Sequence, residues 1–175
     1  MNNTVNHLAI IMDGNKRWSK NNNINLEKGY LKGFEKIIDI ANYCIKSNIE
    51  FLTLFALSSE NRNRPSVDNI FNVLELQYKK LFKKIVQENN IKFKIIGEKT
   101  SLPLSILKIL KDLELQTKNA TKLKLNVAFN YGTNNEILTI VKNISKLNIK
   151  NVEDIDYKLI RQNMYLSDMP DFWSL

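Results

Sequence analysis

The chain is poor in the residues that cross-link, punctuate or activate a protein. Its single cysteine, Cys44, rules out a disulfide within the 175 residues and suits a reducing cytoplasm. Its single histidine, His7, rules out a histidine-based metal cluster and a serine triad. No run approaches the roughly 20 apolar residues of a membrane span. Met1-Asn2-Asn3-Thr4 has neither the basic nor the apolar region of a secretory signal. Gly-x-Gly-x-x-Gly and Walker sequences are missing, which removes the commonest nucleotide-cradling motifs. There is no Pro/Gly-rich linker, internal repeat or low-complexity tract, so residues 1–175 are expected to form one domain.

What is present is positive charge. Twenty-six Lys and Arg against 18 Asp and Glu give a net charge of +8, which invites phosphate-bearing partners or an anionic membrane surface. Much of it is Lys scattered among Asn and Ile, the pattern of solvated helix faces. No basic run is interleaved with aromatics, so nucleic acid is not an expected partner. Hydrophobic residues at 43% and charged residues at 25% fit a soluble globular domain with a sizeable core.

Apolar runs and helical periodicities alternate along the chain. His7 to Met12, Phe51 to Leu57, Ile91 to Gly97 and Leu123 to Phe129 read as four buried strands. Between them, Phe34, Ile37, Ile38, Ala41 and Ile45 mark a helix face from Gly33 on. Ile70, Val73, Leu74, Gln77, Leu81 and Ile85 mark a long helix capped by Ser66. Ile106, Ile109, Leu110 and Leu113 mark another, begun near Ser101 and Pro103. Thr133 and Glu136 spell a capping box before Ile137, Ile140, Val141 and Ile144, and Asp154 to Tyr165 reads as a last helix. Near-continuously apolar strands separated by helices predict an α/β fold, a parallel sheet covered on both faces. Ligands of such sheets bind beyond the carboxyl ends of the strands. Those ends are Asp13–Trp18, Ser58–Pro65, Gly97–Glu98 and Asn130–Thr133.

Two of these ends carry phosphate chemistry. In Asp13-Gly14-Asn15-Lys16-Arg17-Trp18, Gly14 permits a tight turn that brings N–H groups close to an anion. Arg17 offers a planar fork for diphosphate oxygens, and Asp13 suits Mg²⁺, which takes few carboxylates and completes its shell with water and phosphate. A hairpin turn would explain Asp-Gly as well, except that a helix follows instead of a partner strand. In Ser58-Ser59-Glu60-Asn61-Arg62-Asn63-Arg64-Pro65, hydroxyls, an amide and two guanidiniums stand together. Alone this would read as a solvated turn stopped by proline. Two cation-rich turns at adjacent strand ends favour a phosphate-bearing ligand. Trp18 would pack against a substrate or the first helix, and Cys44 sits on the apolar side of a helix as a core residue rather than a nucleophile.

The residues quoted resemble a known family. HLAIIMDGNKRW is similar to the first signature of the cis-prenyltransferases, the undecaprenyl diphosphate synthase type. LTLFALSSENRNRP resembles their second, and IKFKIIGE and LKLNVAFNYGTNNEI resemble their third and fourth strand regions. The likeness runs from about His7 to Asp171. It implies a single cis-prenyltransferase-like domain with an apolar substrate tunnel, adding isopentenyl diphosphate to an allylic diphosphate such as farnesyl diphosphate. The product would be a cis-polyprenyl diphosphate of the kind used as a cell-wall lipid carrier. Asp13 would be the catalytic, Mg²⁺-linked aspartate, with Gly14, Asn15, Lys16 and Arg17 cradling the allylic diphosphate beside Trp18. Ser58, Ser59 and Glu60 would line the substrate site, Asn61 would accept a proton, and Arg64 would contact diphosphate. The resemblance also implies a cytoplasmic homodimer with peripheral membrane contact at most. The absence of an Asp-Asp-x-x-Asp motif agrees with the cis family.

The sequence also departs from the family pattern. A family arginine falls at Leu26, the histidine of a Gly-His pair is Tyr30, and the tryptophan of the second signature is Arg62. After Asp168-Met169-Pro170-Asp171 the chain reads Phe172-Trp173-Ser174-Leu175, without the family's Arg-Thr-x-Gly-Glu segment and final strand. The expectation is therefore a truncated or frameshifted homologue, an incomplete domain. The alternative to a chain-elongating transferase is a non-catalytic homologue or partner subunit that binds allylic diphosphate only.

Overall fold

The computed structural model describes residues 5–82, 90–100 and 102–170. Four strands, β1 (His7–Ile11), β2 (Phe51–Ser58), β3 (Ile91–Ile96) and β4 (Leu123–Tyr131), form a wholly parallel sheet in the order β1-β2-β4-β3. Around it lie α1 (Asn15–Asn21), α2 (Leu26–Lys46), α3 (Val67–Phe82), α4 (Leu104–Gln116), α5 (Thr133–Ile144) and α6 (Tyr157–Gln162). Short 3₁₀ turns occupy Ser59–Asn61 and Val152–Asp154. The α/β class expected from alternating apolar runs is what forms. Ile85, Ser101 and Asp171–Leu175 lie outside the described residues.

Pairing register explains where the core sits. Leu8, Leu52, Leu125 and Phe93 align across the sheet, and Ile10, Leu54, Val127 and Ile95 form the next row. These rows meet Ile37 and Ala41 of α2, Ile70 and Leu74 of α3, and Ile106 and Leu110 of α4 in one apolar cluster. Burying such side chains is the main favourable term in folding.

The other face departs from the expected near-continuous apolarity. Its rows read His7, Phe51, Lys124, Lys92 and then Ala9, Thr53, Asn126, Lys94, because β3 (IKFKII) and the first half of β4 alternate with period two. The residues following α6 cover part of it. The buried Asn126 amide reaches Thr53 Oγ1 at 3.2 Å and Met169 Sδ at 3.5 Å, and Lys94 pairs with Asp168 at 2.9 Å. Burial pushes the Asp168 carboxyl up, but Lys94 outweighs it and holds the group below its ordinary value.

Three element boundaries differ from the reading of periodicity, each for a local reason. Helix α2 begins at Leu26, seven residues before Gly33, because the Asn25 side chain caps it by accepting the Lys28 N–H at 2.9 Å. The last helix shrinks to Tyr157–Gln162, started by Asp156 accepting the Leu159 N–H at 2.7 Å. Thr133 and Glu136 do not form a capping box. Gly132 occupies the cap position of α5, and Glu136 turns inward to accept the Tyr131 hydroxyl at 2.6 Å and the Tyr165 N–H at 2.8 Å. Buried carboxylate oxygens need such donors, and they prevail over a solvent-side cap.

Candidate functional site

The carboxyl ends of β1 and β2 lie side by side, as their pairing requires. Pairing continues past β1, with Met12 N–H donating to Phe55 O at 3.0 Å, before the chain reverses at Gly14. Gly14 has φ +91°, a left-handed conformation that costs glycine little and other residues more. Helix α1 starts at the next residue, so Asn15–Trp18 is a helical turn, and the irregular stretch is only Met12–Gly14. Asp13 accepts the Gly14 N–H through Oδ1 at 2.6 Å and pairs with Arg17 through Oδ2 at 2.9 Å. Both side chains are 78% exposed, so the pair adds little to stability and both groups stay open to a ligand.

Two compensating bulges shape the end of β2. Phe55 faces Ala128, Leu57 faces Phe129 and Ser58 faces Tyr131, so Ala56 is extra on β2 and Asn130 is extra on β4. Asn130 takes φ +56°, a conformation that asparagine tolerates better than most residues. Past the bulge, Ser58 Oγ accepts the Asn61 N–H at 3.2 Å and starts the 3₁₀ turn. The Arg62 guanidinium lies 5.1 Å above the Phe71 ring, a cation–π placement.

Below these turns opens a cavity of about 490 Å³, within the range of small-molecule sites. Of the residues singled out from sequence, Asp13, Gly14, Asn15, Lys16, Tyr30, Ser58, Asn61 and Arg64 line it. Arg17, Trp18, Leu26, Ser59, Glu60 and Arg62 do not. Trp18 is 43% exposed on α1 and packs neither into the cavity nor into the core. The mouth is polar and cationic, while the depth is apolar: Phe34 and Ile37 from α2, Leu74 from α3, Leu110 and Leu113 from α4, and Phe93 and Val127 from the sheet. The alternation in β3 and β4 was the sequence signal for this wall.

The two remaining strand ends brace the wall. Gly97, with φ +123°, brings Glu98 against Asn130: Glu98 N–H donates to Asn130 O at 3.1 Å, and the Asn130 amide donates to Glu98 O at 2.7 Å. Thr100, through its N–H and its hydroxyl, holds the Glu98 carboxyl below its ordinary value. Tyr131 is pushed up to about 12, first by burial and then by its bond to Glu136. Sequence reasoning missed the Tyr131–Glu136–Tyr165 tie, since nothing near Glu136 in the chain announces its distant partner. His7, at the opposite end of β1, bonds Thr53 Oγ1 at 2.8 Å, and burial lowers its pKa.

No three His, Cys, Asp or Glu side chains gather into a metal cluster among the described residues. Magnesium does not require one, since it is commonly held by one or two carboxylates together with water and substrate phosphate. The exposed Asp13 carboxylate, facing a cationic mouth suited to phosphate, fits that donor pattern.

Comparison with known proteins agrees with this geometry. Residues 11–173 match the family described as "Putative undecaprenyl diphosphate synthase". The chain belongs to the cis-prenyltransferase family. It is 35% identical over 167 residues to an isoprenyl transferase of Fusobacterium nucleatum, covering 94% of this chain and 70% of that one. It is 37% identical over 164 residues to dehydrodolichyl diphosphate synthase 2 of Arabidopsis thaliana, covering 90% and 52%. A third relative is the geranylgeranyl-diphosphate-specific tritrans,polycis-undecaprenyl-diphosphate synthase of Pyrococcus horikoshii, 35% identical with coverage of 94% and 65%. This cis-prenyltransferase chain thus spans between about half and 70% of these relatives' lengths. Among solved structures, lavandulyl diphosphate synthase of Lavandula x intermedia, in complex with dimethylallyl diphosphate, superposes with a TM-score of 0.85 at 27% identity, covering 93% of this chain and 71% of that one.

Proposed function

We propose that the cavity takes an allylic diphosphate of the farnesyl type, its head at the mouth and its tail in the apolar depth, for cis-prenyl chain elongation with isopentenyl diphosphate. The observation that carries this reading is the placement of Asp13, Gly14, Asn15, Lys16 and Arg64 around the mouth of an apolar cavity of about 490 Å³. A diphosphate needs cations and N–H donors, and a prenyl tail needs a dry wall. The family membership supports the same chemistry.

In this reading the C–O bond to diphosphate breaks, its electron pair leaves with diphosphate, isopentenyl diphosphate supplies the carbon that bonds to the allylic carbon, and a proton is lost. Lys16 and Arg64 offset the charge that develops on the departing diphosphate, a task for which preoriented cations are effective. Arg17, the next residue after Lys16, is assigned to join them when its pair with Asp13 opens. Asp13 is the residue that would hold a magnesium ion, which when bound would further neutralise the leaving group. Ser58 and Asn61 stand on the β2 side of the cavity, where the second substrate and the lost proton are assigned; Ser59, Glu60 and Arg62 frame that turn from outside. Tyr30 lines the α2 side, Leu26 begins that helix outside the lining, and Trp18, exposed on α1, stands beside the diphosphate loop. Residues 1–175 belong to one domain of a cytoplasmic, homodimeric enzyme that makes the precursor of a cell-wall lipid carrier. Membrane contact is at most peripheral; no helix among the described residues is long and apolar enough to cross a membrane.

The test is incorporation of radiolabelled isopentenyl diphosphate with farnesyl diphosphate and magnesium. Lengthened product is expected from the unaltered chain, and Asp13→Ala should lower turnover by roughly 10²-fold or more. Equal turnover in the two would refute the role of Asp13. Farnesyl diphosphate binding without lengthening would favour the binding-only alternative.

A further inference from the structure

We infer that Gly29 and Gly33, one turn apart on α2, are positioning residues that seat the first turn of α1 so that the Asn15 side chain is held over the cavity mouth. The inference rests on the diphosphate reading above. Residues four apart share a helix face, so the two glycines leave a side-chain-free strip on α2. Helix α1 lies directly on it. A Cβ at Gly29 would fall 1.8 Å from Ser19 Oγ and 3.1 Å from the Asn15 carbonyl oxygen. A Cβ at Gly33 would fall 2.7 Å from Asn15 Oδ1. Ordinary carbon contacts lie at about 3.5–4.0 Å, so neither position admits a methyl group without displacing α1 or the amide.

Both glycines therefore act on one residue. Gly29 sets the height of the Asn15 backbone, which Ser19, 3% exposed, reinforces by donating to the same carbonyl at 2.8 Å. Gly33 leaves room for the Asn15 amide. Asn15 lines the cavity beside Gly14 and Lys16, so its amide stands where diphosphate oxygens are assigned. Ordinary packing glycines would cost stability when substituted but leave the affinity of the folded protein unchanged. A positioning Gly33 changes affinity through Asn15, whereas a methyl that met the ligand directly at Gly33, itself on the cavity lining, would weaken binding with or without the Asn15 side chain.

A double-mutant cycle separates the two. Farnesyl diphosphate binding with magnesium chloride is measured by titration calorimetry for the unaltered chain, Gly33→Ala, Asn15→Ala and the double variant. Gly33→Ala is expected to weaken binding roughly tenfold, the scale of one lost hydrogen bond to a charged group. In the Asn15→Ala background the same change should cost less than about twofold, the spread seen for uncoupled sites. An undiminished loss in that background, or unchanged binding by Gly33→Ala, would overturn the inference. Gly29→Ala should likewise weaken binding, and adding Ser19→Ala, which removes the 1.8 Å clash but leaves the Asn15 carbonyl at 3.1 Å and loses the Ser19 bond to it, should restore part of it. Failure of that rescue in a variant with native circular dichroism would count against the seat; if Gly29→Ala does not fold, the Gly33 cycle decides alone. Absence of binding by the unaltered chain would sink the diphosphate reading and the inference with it. Binding by the unaltered chain with an additive cycle would sink only the inference.

Discussion

At the scale of the residue, the site divides side chains that look alike in sequence. Lys16 lines the cavity, while Arg17, the next residue, points to solvent and pairs with Asp13. Arg64 lines it and Arg62 folds onto Phe71. Which of two like charges faces the mouth is decided by the local path of the chain, which also puts the adjacent Asn15 and Lys16 both on the cavity. Glu136 shows the same dependence on surroundings, reading as a cap in sequence but forming a buried acceptor in the fold. Its partner Tyr131 makes a prediction. With the folded phenol near 12 and the free value at 10.0, the unfolded chain loses its proton first as pH rises. The contribution of Tyr131 is thus fully present below pH 10 and is lost as pH climbs towards 12. Urea titrations across that window should show a steeper alkaline fall for the unaltered chain than for Tyr131→Phe. Parallel declines would contradict the assignment.

At the scale of the element, strands were easier to read than helix starts. Four apolar runs marked β1 to β4 to within a residue or two, because a buried strand needs continuous or alternating apolar side chains whatever it pairs with. The start of α2 was missed because periodicity reports apolar faces, and its first two turns set Gly29 and Gly33 against the short α1, with Tyr30 packed on the core. Asn25 was the available signal. Asn25→Ala should cost about 1 kcal/mol, the usual worth of an N-cap, read as a lower urea midpoint with an unchanged slope. A midpoint equal to that of the unaltered chain would show that tertiary contacts alone start α2. Bulges were not legible at all, since Ala56 and Asn130 become extra residues only when β2 and β4 are laid side by side.

At the scale of the whole molecule, the core and the cavity compete for the same apolar side chains. Leu52 is fully buried in the sheet, whereas Phe34 is partly buried and borders the cavity. Leu52→Ala should therefore destabilise by about 2–5 kcal/mol, the cost of deleting a packed leucine. Phe34→Ala should cost less despite removing more atoms, because part of its surface faces open space. The order reverses for the ligand. Thermal shifts on adding farnesyl diphosphate should shrink for Phe34→Ala and persist for Leu52→Ala, since a ligand stabilises only through contacts it makes. A larger loss of stability in Phe34→Ala would show that Phe34 is packed as tightly as Leu52.

By itself the sequence determined the alternation of strands and helices, the reversal at Gly14 and the gathering of charged turns at strand ends. Each of these depends on residues within one turn or one strand of each other, where spacing along the chain is spacing in space. The tertiary structure decided which of those charged residues face the cavity, what covers the polar face of the sheet, where Glu136 finds its donors and how closely α1 approaches α2. Those outcomes rest on contacts between residues far apart in the chain, such as Glu136 with Tyr165, and so they appear only when the elements are packed.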